Sequence, residues 1–222
     1  MKSFKIPGSD ALFYQHDHSQ SVSNDTYDLY VQVREYICFN LENNEALNEA
    51  SLLDIGTGTG ILLLMLAMEF KNMHFTGVEI IKEIADIATT NFENLSKHMD
   101  EKIDIEIINT DYCKLSEVFD KNRKFDLIVS NPPYFPKGTG IMSSVYEKAV
   151  SRFELAGNLS ELLKCIENFL APEGKAFLIY PVFRAEELRK LCDDLDLMVT
   201  THDYGFVQVE TKKKLIFEIY HA

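Results

Sequence analysis

Leu52-Leu53-Asp54-Ile55-Gly56-Thr57-Gly58-Thr59-Gly60 decides the fold of this 222-residue chain. A short apolar-rich run, Leu52 to Ile55, reads as a buried strand. It passes into three alternate glycines, and the apolar stretch Ile61 to Met68 follows, so a helix is predicted over 60–70. A glycine-rich turn between strand and helix lets backbone approach a ligand closely, at the sheet edge where open α/β folds bind. The spacing is G-x-G-x-G and not G-x-G-x-x-G. It matches a pyrophosphate cradle less well and suits an uncharged adenosyl group carrying an amino-acid tail. Asp54 is then placed near the positive end of that tail, with Gly56, Thr57, Gly58 and Gly60 forming the cradle.

Outward from this turn, strands and helices alternate. Strands are predicted at 52–55, 74–79, 103–109, 125–130, 175–180, 197–204 and 214–220, and further helices at 84–97, 159–170 and 183–195. Continuous apolar runs such as Leu127-Ile128-Val129 and Ala176-Phe177-Leu178-Ile179-Tyr180 suit strands covered on both faces. The alternation gives an α/β class with a doubly wound sheet. The last two strands have no helix between them and are expected to pair antiparallel. Upstream, helical spacing over 26–40 predicts a helix with Asp25 as N-cap. Residues 1–25 read as an irregular or edge-strand appendage, and 26–222 as a single domain.

Two more strand ends carry carboxylates. Glu79 closes the second strand, where an acid accepts from ribose hydroxyls in nucleotide sites; Ile80 follows it. Asp111 lies just beyond the third strand and Tyr112 follows. A carboxylate there accepts from an adenine amino group while the adjacent side chain covers the ring.

The fourth strand ends in Asn131-Pro132-Pro133-Tyr134-Phe135. Two prolines stop the strand and remove two backbone donors. The Asn131 side-chain oxygen and the Pro132 carbonyl are left as acceptors at the sheet edge. An amino group conjugated to a ring or carbonyl is a poor nucleophile because its lone pair is delocalised. Two acceptors on its two hydrogens localise and aim that pair, so positioning and electrostatics carry the chemistry. Asn131, Pro132 and Tyr134 are the candidate catalytic residues, and Asn131 is a candidate cofactor contact as well. Pro133, Tyr134 and Phe135 are the candidate substrate platform.

Charge bounds the partners. The net charge is −13, which disfavours a general nucleic-acid binder. Residues 121–152, however, hold six basic and two acidic residues, net +4, and contain the Asn-Pro-Pro-Tyr motif. Such a patch can hold an anionic substrate at the reaction centre. Cys38, Cys113, Cys165 and Cys192 form no close pair, so free thiols are expected and zinc is not. No apolar run reaches a membrane span, and MKSFKIPGSD has no signal-peptide core. A cytoplasmic monomer without metal or membrane attachment is expected.

DIGTGTG, Glu79, Asp111 and NPPYF together resemble the ordered motifs of class I S-adenosylmethionine-dependent methyltransferases of the NPPY type. The resemblance implies a seven-stranded Rossmann-like sheet with an antiparallel last strand. It implies S-adenosyl-L-methionine held by Asp54, Gly56, Gly58, Glu79 and Asp111, with Asn131 to Tyr134 on the target amine. Within that family the chain is most similar to bacterial adenine-N6 methyltransferases of the valine tRNA anticodon loop. The similarity rests on Phe135 after NPPY, on AVSRFELAG at 149–157, and on Val22-Ser23-Asn24-Asp25. Adenine N6 in tRNA is the substrate this implies. A protein-glutamine methyltransferase, a silent cofactor-binding partner subunit and a nicotinamide oxidoreductase are the rivals. Phe135, the intact motif and the glycine spacing stand against them in that order. His16-Asp17-His18 and Lys212-Lys213-Lys214 read as solvated surface, and Arg152 with Glu154 as an ion pair near the motif.

Overall fold

Every predicted strand and helix of the alternating region is present. The computed structural model describes residues 2–5, 10, 12–15, 24–43, 47, 49–134, 157–202 and 214–222. Strands β1 (Lys2–Lys5) and β2 (Leu12–Gln15) precede helix α1 (Asn24–Asn43). The alternating part runs β3 (Ser51–Ile55), α2 (Ile61–Glu69), β4 (His74–Glu79), α3 (Lys82–Met99), β5 (Ile105–Asn109), α4 (Leu115–Val118) and β6 (Phe125–Ser130). It continues through α5 (Leu159–Phe169), β7 (Leu170–Pro181), α6 (Ala185–Asp193), β8 (Leu197–His202) and β9 (Lys214–His221).

Seven strands form one sheet in the order β5-β4-β3-β6-β7-β9-β8. Neighbours from β5 to β7 are parallel, and β9 is antiparallel to both β7 and β8. The order reverses between β3 and β6, so the crevice for ligand lies off their carboxyl ends.

The apolar runs serve two cores, because successive side chains of a strand face opposite ways. Leu52, Leu127, Val129, Phe177 and Ile179 pack with Leu29, Val33 and Ile37 of α1, Leu62, Leu63, Leu64, Leu66 and Ala67 of α2 and Phe92 of α3. Leu53, Ile128, Leu178 and Tyr180 pack with Leu115, with Leu162, Leu163 and Ile166 of α5, and with Leu188 of α6. Helix α5 starts at a capping box: the Asn158 side chain accepts from Glu161 N–H at 3.1 Å, and Glu161 accepts from Asn158 N–H at 2.9 Å.

Three differences from the sequence reading have physical causes. Residues 2–5 and 12–15 form an antiparallel two-stranded ribbon that docks on the domain. Phe13 is 1% exposed in the α1–α3 core. Buried Asn91 of α3 accepts from Tyr14 N–H at 2.7 Å and donates to the Tyr14 and Thr59 carbonyls at 2.9 and 2.8 Å. Helix α1 begins at Asn24, so Asp25 lies within its first turn and is not its N-cap. Strand β7 starts at Leu170, five residues before the predicted start, because it follows α5 directly and pairs Leu170 with Phe125 across a register irregularity.

Candidate functional site

Parallel pairing brings the three marked strand ends side by side. Ile55 pairs with Val78 on one flank and Ser130 on the other, so Gly56, Glu79 and Asn131 leave the sheet together. Glu79 pairs with Asn109, two residues before Asp111. Adjacent strands are about 4.8 Å apart, which gathers all four positions at one edge.

The glycine turn takes the backbone that only glycine adopts cheaply. Gly56, Gly58 and Gly60 have φ of +78°, +58° and +84°. A side chain at Gly56 or Gly58 would meet no atom within 4 Å, so the turn opens onto free space. At Gly60 a Cβ would lie 2.8 Å from the Phe92 ring, because α2 packs there against α3. The turn is tied back to β4: Gly56 N–H and Thr57 N–H both donate to the Val78 carbonyl at 2.9 Å. Gly77 makes this possible, since a Cβ there would stand 2.9 Å from Thr57 Cγ2.

Two buried carboxylates line the turn. Burial pushes the Asp54 carboxyl up to about 7, and the Glu79 charge adds to that. Burial also raises Glu79, against backbone N–H groups that favour its charged form. Glu79 Oε2 accepts from Gly58 N–H at 3.0 Å and Oε1 from Ile81 N–H at 2.9 Å. Each oxygen keeps a lone pair for a further donor. Ile80 is half-buried against Ile81 and Ile84, and its carbonyl accepts from Asn109. Asp111 accepts from Cys113 N–H at 2.9 Å, capping the 3₁₀ turn Tyr112–Lys114. The Tyr112 ring packs on the α5 core.

At the β6 end the motif is already engaged. Asn131 Oδ1 accepts from the Tyr134 hydroxyl at 2.9 Å, and its Nδ2 donates to Thr26 of α1 at 3.3 Å. The oxygen read from sequence as an open acceptor therefore has a partner. The Tyr134 hydroxyl also lies 3.2 Å from Asp25 Oδ2 and accepts from Lys214 Nζ at 2.5 Å. Lys214 pairs with Asp25 as well, and its ammonium sits 3.9 Å from the centre of the Tyr134 ring. Burial, then the Asp25 charge, hold the phenol well above its usual range, so it stays protonated and serves as a donor. Pro132 and Pro133 are half-buried, and among the described residues the Pro132 carbonyl accepts no hydrogen bond.

Arg184, 8% exposed, was not singled out from sequence. Its Nη1 donates to the Tyr134 carbonyl at 3.0 Å, while Nε and Nη2 grip Glu187 at 2.7 and 2.6 Å. That grip lowers the Glu187 carboxyl below its usual range. The available signal was an arginine just beyond a strand end with a glutamate three residues on. Phe135, His16-Asp17-His18, Val22-Ser23, Arg152, Glu154, Lys212 and Lys213 lie outside the described residues. Among the described residues no helix is long and apolar enough to cross a membrane. No group of three or more His, Cys, Asp or Glu among them is arranged to hold a metal ion.

A family described as "Methyltransferase domain" matches residues 47–219, which hold all seven strands of the sheet but the last two residues of β9, and every described candidate site residue. The chain belongs to that methyltransferase-domain family. Relatives with more specific names include tRNA1(Val) (adenine(37)-N6)-methyltransferases. That of Vibrio parahaemolyticus is 34% identical over 64% of this chain and 55% of its own. That of Pedobacter heparinus is 37% identical over 65% of this chain and 56% of its own. That of a Flavobacteriaceae bacterium is 29% identical over 75% and 67%. The chain thus spans little more than half the length of the first two. Among solved structures, a methyltransferase from Pyrococcus furiosus superposes with a TM-score of 0.61 at 18% identity, covering 95% of this chain and 89% of its own. The precorrin-6y C5,15-methyltransferase of Geobacter metallireducens gives 0.60 at 10% identity, covering 95% and 94%. At those identities the likeness establishes the fold.

Proposed function

We propose that this chain transfers a methyl group from S-adenosylmethionine to the exocyclic N6 amino group of adenine in RNA, with tRNA as the RNA. The observation that carries the reading is Asn131-Pro132-Pro133-Tyr134 at the carboxyl end of β6, one strand from the glycine turn. The names of the relatives favour adenine N6 and tRNA over other amines.

The donor fits the residues present. Gly56 and Gly58 leave open space where any side chain would intrude. Glu79 keeps acceptor capacity for ribose hydroxyls, Asp111 for the adenine amino group, and Ile80 and Tyr112 supply apolar flanks. Asp54, held near 7, ionises readily once a cationic amino-acid tail lies beside it. When bound, the donor supplies an electrophilic methyl group on a sulfonium.

The chain's own residues do the rest. The Asn131 Oδ1 and Pro132 carbonyl oxygens accept the two N–H hydrogens of the target amine and aim its lone pair. Tyr134 and Phe135 supply aromatic surface for the base. Arg184 fixes the Tyr134 backbone, which fixes the angle between the two acceptors. The amine attacks while neutral, so no general base is required before transfer; the surplus proton leaves the methylated nitrogen for solvent afterwards.

Tritiated methyl transfer to total tRNA, total rRNA and release factors, with wild type and Asn131→Ala, tests the proposal. Label in tRNA that disappears in the variant is expected. Label confined to protein, favoured by an amide-gripping rival, would overturn the RNA assignment.

A further inference from the structure

Parts of the chain 80 to 189 residues apart in sequence meet at one phenol. Asp25 comes from the first turn of α1, Lys214 from the first residue of β9, and Asn131 with Tyr134 from the end of β6. Lys214 and Asp25 are three-quarters buried, at 25% and 27% side-chain exposure, so their ion pair is well shielded from solvent. The pair is held at the motif, and Lys214 fixes the ring both by its ammonium over the face and by its hydrogen bond to the hydroxyl.

The proton count at this hydroxyl makes the arrangement informative. A neutral phenol has one hydrogen. Lys214 uses a lone pair of the phenol oxygen, leaving that hydrogen to be placed. Among the described residues, Asn131 Oδ1 at 2.9 Å and Asp25 Oδ2 at 3.2 Å stand within reach as acceptors, and one hydrogen serves one of them at a time. Asn131 Oδ1 is also the atom that the target amine needs.

We infer that Asp25 and Lys214 are positioning residues for methyl transfer, holding the Tyr134 hydroxyl so that its hydrogen swings from Asn131 Oδ1 to Asp25 Oδ2 when the target amino group arrives. No covalent bond breaks: the O–H rotates about the ring–oxygen bond. Asp25 provides the acceptor that releases Asn131, and Lys214 keeps the ring in place as this happens. Before substrate arrives, the closed arrangement gives the half-buried Asn131 amide oxygen a partner. The inference rests on the proposed role of Asn131.

The test is a double-mutant cycle between Asp25→Ala and Tyr134→Phe, with kcat, KM for tRNA and S-adenosylhomocysteine affinity measured on each protein. Asp25→Ala is expected to lower kcat/KM about tenfold, as for loss of one hydrogen bond to a charged group. Its S-adenosylhomocysteine affinity stays within about twofold. In the Tyr134→Phe background, with no hydroxyl to accept from, the same substitution changes kcat/KM less than about twofold. Lys214→Arg retains more activity than Lys214→Met. Equal effects in both backgrounds, or a parallel fall in S-adenosylhomocysteine affinity, overturn the inference. If the wild type methylates no RNA, the proposed function fails by itself, and the resting arrangement is read by thermal denaturation without substrate. There the hydrogen lies on Asn131 Oδ1, so non-additive shifts of Asn131→Ala and Tyr134→Phe support the closed arrangement and additive shifts overturn it.

Discussion

Replacing Asp54 by asparagine is expected to stabilise the protein while weakening its ligand affinity, in a pH-dependent way. Asp54 is 3% exposed, and its carboxyl is raised from 3.8 to about 7 chiefly by burial. A raised acid is disfavoured in its charged form, so folding is penalised as pH climbs above 3.8, and the penalty is complete above 7. At about 1.4 kcal/mol per pH unit, linkage gives a penalty of roughly 4 kcal/mol at pH 8, falling to roughly 2 at pH 5. Asparagine keeps the shape without the charge. Each kcal/mol moves the melting temperature of a domain this size by about 2–4 °C. Asp54→Asn is therefore predicted to melt about 8 °C or more above wild type at pH 8, with the gain at least halved at pH 5. The same charge is what a cationic ligand tail requires. Wild-type affinity for S-adenosylhomocysteine is predicted to fall about tenfold from pH 8 to pH 6 as Asp54 takes up its proton, and that dependence disappears in the variant. Differential scanning fluorimetry and calorimetry across pH 5–8 give both readouts. An asparagine variant that melts below wild type at pH 8, or a difference that does not change with pH, would refute the burial argument.

Other substitutions separate framework from site. Gly60→Ala combines positive φ with a 2.8 Å approach to Phe92, so a loss of about 2–4 kcal/mol in denaturant unfolding is expected. Gly56→Ala meets no atom and carries only the φ penalty of about 1–2 kcal/mol, so its larger effect is lost S-adenosylhomocysteine affinity in calorimetry. Arg184→Lys is expected to lower kcat without raising the donor's dissociation constant. A lysine cannot hold Glu187 in two places while reaching the Tyr134 carbonyl. Asn91→Ala removes three hydrogen bonds to the β2 ribbon and the glycine turn, at a cost of about 3 kcal/mol. Limited proteolysis ahead of α1 is predicted to accelerate with little change in kcat.

The sheet was readable from sequence because its central strands are buried on both faces. Runs such as Phe177 to Tyr180 must be apolar throughout when each face has its own core. The strand ends were readable as places because each carries a break in the strand pattern: alternate glycines after β3, an acid at the end of β4, Asn-Pro-Pro after β6, and parallel pairing brings them to one edge. Gly77 was not, since its requirement comes from Thr57 in the glycine turn after the neighbouring strand. The β2 ribbon looked like an appendage because four residues with alternating burial carry little periodicity, and its anchor, Asn91, lies 77 residues away. Asp25 shows the limit most clearly. An acid before a helical pattern reads as a cap, and only the folded chain brings Lys214 and Tyr134 to it. Local pattern fixes elements, while convergence across β6, β9 and α1 depends on packing that no local window contains.

Nucleoside mass spectrometry of tRNA incubated with the protein and S-adenosylmethionine tests the role of the Asn131–Tyr134 edge most directly. N6-methyladenosine is predicted to accumulate with wild type and to be absent with Asn131→Ala, a variant that still binds S-adenosylhomocysteine. Methylation at a ring carbon or an oxygen, or N6-methyladenosine formed equally by the variant, would contradict it.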